Sequence, residues 1–342
     1  MALPASPEPV GFTDDSCHHA VLGTLLLERA PDADPAGVLG NTTATRAGPD
    51  PGPVGFGDTF PALGRALAAR GLGWERHPVH RPGAWTEALR RMAAGERLIT
   101  VVDPFHLSYH RQDYGLAHGL HAVLLSLPRG PGGPVLLDDP MTATRYTGPV
   151  DPDELERALF ADDFGQTWTL LGPGLPEPVP GGSPLADELR GHAAALADTP
   201  VPDAEGGLTA GQLLDLLDRS LPETMTAVAR LGRPEARAGA DQARRHATNI
   251  TRGLWNTAQT MRWFARYLHH VREQHPGSVP EAALTAAGTL PGQWSALRTL
   301  LLRAGLSSGD RAELLAQRLR GQLRSTGAAT EALATALART RP

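Results

Sequence analysis

The one cysteine of the chain, Cys17, is the residue best suited to nucleophilic chemistry. It follows Asp14, Asp15 and Ser16, whose types commonly begin helices, so the sequence predicts Cys17 in the first turn of a helix. Unpaired backbone N–H groups and the positive end of the helix dipole favour a thiolate there and lower the thiol pKa, whereas the two aspartates oppose this effect. A single cysteine is also typical of a small buried core residue, and placement alone leaves both roles open.

Two neighbouring apolar segments offer a base and an orienting carboxylate for such a thiol. His121 lies near the start of HGLHAVLLSL, and Asp138 and Asp139 end the next segment, VLLDDP. The intervening PRGPGG predicts a hairpin-like turn, and antiparallel pairing would bring a carboxylate within reach of His121. A nucleophilic thiol needs a base that takes its proton and a third group that holds the imidazole. The alternative is that His121 caps a strand and that the aspartates begin a turn.

Two regions of different composition must position these residues. In the first region the sequence predicts helices at about 17–29, 60–70, 85–94 and 151–160 and strands at about 98–102, 119–127, 134–138 and 166–171. Beyond a Pro/Gly-rich linker, helical patterns run over about 185–198, 208–231, 235–275, 280–304 and 309–338. We therefore predict an α+β domain over residues 1–171, a linker over 172–184 and an all-α domain over 185–342.

Three segments of the first region carry a family resemblance: DDSCHHAVLGTLL, DPFHLSYHRQDYGLAHGLHAVLLSL and VLLDDP. They resemble the butirosin-biosynthesis protein H family, which belongs to the papain-like (C39 peptidase-like) thiol enzymes. The resemblance covers about residues 12–170, and the helical remainder looks like the companion C-terminal domain of that family. It implies a papain-like N-terminal fold and an acyltransferase that moves an acyl or aminoacyl group from a carrier-protein thioester to an amine in natural-product biosynthesis.

Position by position, the resemblance implies Cys17 as the nucleophile, His121 as the base and Asp139 as the third member, with Asp138 as a close rival. It implies no cofactor beyond the phosphopantetheine carried by the donor. The implied partners are an acyl or peptidyl carrier protein and a small-molecule amine. The chain departs from the leader peptidases of the wider group at Gly11, where they place a glutamine that stabilises the oxyanion. Backbone N–H groups at the helix start, including that of Cys17, or another side chain would serve instead.

Other functions stay open on the sequence. An amide hydrolase or peptidase would use the same three residues with water as the acceptor. A cyclising enzyme would transfer the acyl group within one molecule. A non-catalytic scaffold protein would hold Cys17 as a core residue that is inert to alkylation, and its replacement would cost stability instead of activity.

The candidates for substrate binding are Phe56, Tyr109, Trp255, Gln259 and Trp263. Trp255, Gln259 and Trp263 follow i,i+4 spacing and therefore share one face of a predicted helix. They either pack against neighbouring elements or wall an acyl or acceptor pocket where the two domains meet. Tyr109 is expected at the mouth of a cleft or on a loop beside the base, and Phe56 lies in a Gly-rich segment that could approach substrate.

The histidines suggest a metal site because pairs of them recur at helical spacing. His106 and His110 are four residues apart, and His118 and His121 are three apart. Zinc takes three or four nitrogen or sulfur ligands. Such spacings arise easily in a chain with 13 histidines, and one cysteine offers no thiolate cluster. We therefore expect no metal.

Composition limits the partners that the protein is expected to have. The 342 residues are 41% hydrophobic and 20% charged, which is typical of a globular chain, and the formal net charge is -5. This charge, without a basic stripe, argues against nucleic-acid binding. There is no apolar run of membrane-spanning length and no secretory signal pattern, so we expect a cytoplasmic protein without a membrane role. A homodimer through the long amphipathic helices stays open.

Overall fold

The computed structural model describes most of the chain: residues 16–43, 47–48, 55–56, 60–116, 118–128, 133–161, 166–197, 209–229 and 238–341. The side chains of residues 47–48, 55–56, 60 and 238–246 lie outside this description. Contacts divide the chain into two compact units, one of mixed helices and strands and one dominated by helices. The first combines Met1–Pro35 with Leu67–Glu177, and the second combines Ala36–Ala66 with Pro178–Pro342.

Helices and strands alternate in the first half of the chain. The described elements are α1 (Cys17–Arg29), α2 (Ala36–Leu39), β1 (Ala47–Gly48), β2 (Gly55–Phe56), α3 (Phe60–Ala68), β3 (Trp74–Pro78), α4 (Ala84–Ala93), β4 (Leu98–Val102), β5 (His121–Ser126), β6 (Leu136–Asp139), β7 (Tyr146–Pro149), α5 (Pro152–Phe160) and β8 (Thr167–Leu171). A short 3-10 turn, Pro104–His106, follows β4.

Described elements in the second half of the chain are all helices. They are α6 (Gly182–Leu196), α7 (Ala210–Arg219), α8 (Leu221–Ala229), α9 (Ala238–Gln274), α10 (Glu281–Gly305) and α11 (Gly309–Ala338). No helix in the described ranges combines the length and apolar character that crossing a membrane requires.

A six-stranded antiparallel sheet forms the centre of the first unit. Its strand order is β3-β8-β4-β5-β6-β7. The apolar run of β4 is buried at every position, as expected for a central strand covered on both faces. Helices α4 and α5 contribute to the hydrophobic core on one face, together with side chains such as Val102 and Leu137. Helix α1 packs against β5.

Helix α1 follows from its local sequence. The Ser16 side chain accepts a hydrogen bond from the His19 backbone N–H at 3.4 Å, as an N-cap residue does. Apolar residues such as Leu22 and Leu26 bury one side of the helix completely. At the other end, the Arg29 guanidinium donates to the Leu171 carbonyl at 2.9 Å and ties α1 to β8. The first residue of α1, Cys17, is thereby held in a fixed place.

The strand pairing confirms the predicted antiparallel neighbours β5 and β6, while two edge strands escaped prediction. Strand β3 (WERHP) and strand β7 (YTGP) are polar and partly exposed, so they lack the apolar pattern that identifies a central strand. The predicted helix over 208–231 is two helices, α7 and α8, and Pro222 occupies the first turn of the second.

Residues 36–66 depart from the predicted domain boundary. The sequence predicts them in the N-terminal domain, whereas they cluster with the helical unit. Helix α2 packs against α9 so closely that a Cβ atom on Gly40 would lie 2.3 Å from the Trp263 carbonyl oxygen. A contact between segments more than 200 residues apart leaves no local signal in the sequence.

Candidate active site

The thiol of Cys17 lies at the start of α1 and is half-buried. As the first helical residue, Cys17 has a backbone N–H without an intrahelical acceptor. Its sulfur interacts with the side chain of His121 and with the backbone N–H of Ala122, both at the start of β5. Because α1 packs against β5, the helix start brings the thiol to the imidazole.

His121 and Asp139 form a buried hydrogen-bonded pair. In the sheet, His121 lies opposite Val102 of β4, and β6 runs antiparallel to β5 with Leu124 opposite Asp138. The end of β6 therefore lies beside the start of β5. His121 Nε2 and Asp139 Oδ2 are 2.7 Å apart, with side chains 7% and 0% exposed. This bond leaves Nδ1 of the imidazole for Cys17.

Strand alternation decides between the two adjacent aspartates. Successive side chains on a strand point to opposite faces, so Asp138 and Asp139 cannot both face His121. Asp138 instead accepts from Arg97 at 2.6 Å and from the Thr147 hydroxyl at 2.9 Å. The structure thus brings Asp139, and not Asp138, to the imidazole.

Further donors surround the Asp139 carboxylate. Thr144 Oγ1 donates to Oδ2 at 2.6 Å, and the Tyr109 hydroxyl approaches the same oxygen at 3.3 Å. The backbone N–H of Met141 donates to Oδ1 at 3.1 Å. Burial, followed by the charge of Asp139, raises the pKa of Tyr109, so its hydroxyl remains a donor. These donors hold the carboxylate ionised and fix its position.

The charges of the group are coupled. Burial by itself raises the pKa of Cys17, but the hydrogen bond and the positive charge of His121 outweigh it, so the pKa is lowered. Burial likewise lowers the pKa of His121, but the charge and hydrogen bond of Asp139, with the contribution of Cys17, raise the pKa to about 10. The pKa of Asp139 is lowered: burial opposes this, but His121 prevails. At neutral pH these directions favour a thiolate, an imidazolium and a carboxylate in a row.

A second histidine lies against the first. The His110 and His121 rings meet edge to face with centroids 4.6 Å apart. Burial, followed by the positive charge of His121, lowers the pKa of His110, so this ring is neutral at pH 7. Donor atoms of His110, His121 and Asp139 lie within 4.8 Å of one another. A metal ion there would have to displace the proton between His121 and Asp139, and would therefore compete with the thiolate–imidazolium pair.

A cavity of about 660 Å³ adjoins the carboxylate end of this group. Its walls include Tyr109 and Thr144, which both bond Asp139, and Tyr146, whose ring stacks on Tyr109 with centroids 4.7 Å apart. Tyr109, predicted to bind substrate, therefore contacts Asp139 and also lines a cavity.

The other predicted substrate-binding residues belong to the helical unit. Gln259 and Trp263 are buried there, and Trp255 is half-buried. The Arg266 guanidinium lies 5.1 Å from the centre of the Trp263 ring. The side chain of Phe56 lies outside the described residues. A role in substrate binding stays a prediction for all four residues.

Two donors to Asp139, Thr144 and the Met141 N–H, were not predicted from the sequence. Which group replaces the oxyanion-stabilising glutamine at position 11 stays a prediction, because Gly11 lies outside the described residues. The turn after Pro140 carries both missed donors. Its one local signal is an Asp-Pro followed by small hydroxyl residues, typical of a turn.

No protein-family profile matches the chain, and no curated protein shows significant similarity to it.

Proposed function

We propose that the protein is a papain-like cysteine acyltransferase that moves an acyl or aminoacyl group from a carrier-protein thioester to an amine. The observation that carries the proposal is the row of Cys17, His121 and Asp139, in which the buried imidazole bonds a buried carboxylate and faces the thiol. A lone structural cysteine has no need of a buried, charged histidine beside it. The choice of a thioester donor and an amine acceptor is supported by the family resemblance of the sequence.

In the first half-reaction, the Cys17 thiolate attacks the carbonyl carbon of the thioester. The tetrahedral intermediate carries a negatively charged oxygen. The Cys17 backbone N–H, which has no acceptor within the helix, is the donor that we assign to this oxygen. Collapse breaks the bond to the donor sulfur, and Nδ1–H of His121 protonates the departing thiolate. The products are a Cys17 thioester, a free phosphopantetheine thiol and a neutral His121.

In the second half-reaction, an amine attacks the Cys17 thioester and neutral His121 takes a proton from it at Nδ1. Collapse forms the amide and expels the Cys17 thiolate, which restores the thiolate–imidazolium pair. Asp139 stays ionised throughout and keeps the imidazole in one orientation, as the third member of a triad does. Neither step requires ATP or a redox reagent.

The proposal is tested by intact-protein mass spectrometry of the full chain mixed with a panel of acyl-pantetheine thioesters. Wild type and Cys17→Ala are compared first without an acceptor, and then after addition of a panel of amines. We expect an added mass of one acyl group on wild type alone, lost faster with a productive amine than in buffer.

Three outcomes would contradict it. Acylation of both proteins would show that Cys17 is not the nucleophile. A wild-type acyl-enzyme that water resolves as fast as every amine would favour the hydrolase. A folded protein that iodoacetamide fails to label at neutral pH would indicate a structural cysteine.

A further inference from the structure

The loop between β4 and β5, residues 103–120, gathers three side chains that the proposed acyl transfer does not use. Asp103 begins the loop, His106 follows within its first turn, and His118 lies near its end. One donor atom from each lies within 4.8 Å of the other two. These residues are separate from the Cys17 group, so the inference below does not depend on acyl transfer.

The Asp103 carboxylate is buried, and its two oxygens have different neighbours. Its side chain is 1% exposed, and Oδ1 accepts from the backbone N–H groups of Phe105 and Gly119, both at 3.1 Å. These two bonds fix the carboxylate and direct Oδ2 toward the histidines. Oδ2 lies 2.7 Å from His118 Nδ1 and 4.0 Å from His106 Nε2.

The imidazole of His106 has an unsatisfied ring nitrogen. Its Nε2 atom is buried, and it has no hydrogen-bond partner among the described residues. Burying a polar nitrogen without a hydrogen-bond partner is unfavourable, so native proteins rarely keep one without a reason. The His118 ring, in contrast, is held by stacking on Phe105 with centroids 4.0 Å apart.

We propose that Asp103 Oδ2, His106 Nε2 and His118 Nδ1 bind a divalent transition-metal ion such as Zn²⁺. A carboxylate and two imidazoles are a donor set that zinc accepts, and the ion would pair the otherwise orphaned His106 nitrogen. Three protein ligands leave at least one position for water. The ion would replace the proton between Asp103 and His118, so its affinity falls at low pH.

The position of the site gives the metal a structural consequence. Two ligands lie where the loop leaves β4, and the third lies shortly before β5 begins. The intervening residues include Tyr109, which reaches Asp139, and His110, which packs on His121. A metal that joins the two ends of this loop lowers the entropy of its open forms and so holds both side chains in place.

The test is a zinc titration of the full chain, freed of metal beforehand, in competition with a chromophoric chelator. Wild type is compared with the three ligand variants His106→Asn, His118→Asn and Asp103→Asn, and with His110→Asn, which should bind zinc as wild type does. The asparagine at 103 keeps an oxygen for the two backbone N–H groups while removing the charged ligand, so it preserves the loop. His269→Asn changes an exposed histidine of α9 and serves as the matched control.

We expect wild type and the control to bind one zinc per chain, and the three ligand variants to bind it at least tenfold more weakly. Cobalt in place of zinc should show no sulfur-to-metal charge-transfer band, because Cys17 is not a ligand. Equal affinities in all proteins would mean adventitious binding and overturn the proposal. So would the absence of zinc binding by wild type, or a loss confined to His110→Asn, which would place the metal at His121 and Asp139.

Discussion

Two regions of the molecule are buried but differ in polarity: His121 and Asp139 are ionisable, whereas Phe264 and Tyr267 of α9 are aromatic. Asp139 and His121 form a hydrogen-bonded ionisable pair, and Thr144 and the Met141 backbone N–H donate further hydrogen bonds to Asp139. On α9, Phe264 and Tyr267 stack with centroids 6.0 Å apart, and Gly40 of the α2 region packs against the same helix. A buried charge must be compensated by partners, whereas buried rings stabilise mainly by packing. The first arrangement is therefore the one that points to chemistry.

The largest expected effect separates the two adjacent aspartates. Asp139→Asn removes the charge that holds His121 protonated, so acyl-enzyme formation should slow by about 10²–10⁴-fold. Asp138→Asn alters partly exposed contacts with Arg97 and Thr147, neither of which involves His121, and should leave the rate unchanged. Stopped-flow acylation of both variants measures the difference. Equal losses would show that the two carboxylates act only through folding.

A smaller effect is expected in the helical unit, and it should concern stability alone. Gly40→Ala places a Cβ 2.3 Å from the Trp263 carbonyl oxygen, a backbone atom that cannot yield, and should destabilise this unit by about 1–3 kcal/mol. Gly191→Ala lies in the interior of α6, where the new Cβ meets no atom within 4 Å. It should stabilise the helix by about 0.5–1 kcal/mol.

Thermal unfolding of the two glycine variants gives the change in stability, and the rate of Cys17 alkylation gives the state of the site. We expect melting temperatures that move in opposite directions and alkylation rates that do not move. A loss of alkylation in Gly40→Ala at temperatures where it is folded would contradict the separation of roles between the two regions.

The smallest effect tests the donors of Asp139. Thr144→Val removes the 2.6 Å hydrogen bond to Oδ2, and a bond of this kind to a charged group contributes about 1.5 kcal/mol, or roughly a tenfold slower acylation. Thr144→Ser should restore the rate because it restores the hydroxyl. Thr147→Val removes the equivalent bond to Asp138 and is the matched control. An effect of Thr147→Val as large as that of Thr144→Val would refute the role given to Thr144.

The sequence predicted the helix and strands that carry the site better than it predicted the side-chain contacts within it. The N-cap residue and apolar pattern predicted α1, and the apolar runs predicted β4, β5 and β6, because each signal is local. Antiparallel pairing then placed a carboxylate near His121. The choice between Asp138 and Asp139 needed the strand register, which the sequence does not state. The same holds for Thr144, since its contact depends on the turn after β6.

Packing between distant segments could not be predicted either, because it leaves no local signal in the sequence. The polar edge strands β3 and β7 pair through backbone groups that every residue carries, so their side chains give little sign of them. Gly40 meets α9 through a contact between distant segments. The Asp103, His106 and His118 donors converge because the loop returns to its starting point. The sequence pattern instead paired His106 with His110 and His118 with His121 and gave no sign of Asp103, and with 13 histidines and one cysteine it led to the expectation of no metal.

The most direct test of the thiolate–imidazolium pair is the pH dependence of Cys17 alkylation by iodoacetamide. Because the pKa of Cys17 is lowered, wild type should react at pH values below those at which an ordinary thiol ionises, and should slow as the pH falls through that lowered pKa. A second change should appear near pH 10, where His121 loses its proton. In Asp139→Asn the onset of reactivity should move to higher pH. A single ionisation near pH 9 in wild type, unchanged in Asp139→Asn, would contradict the account.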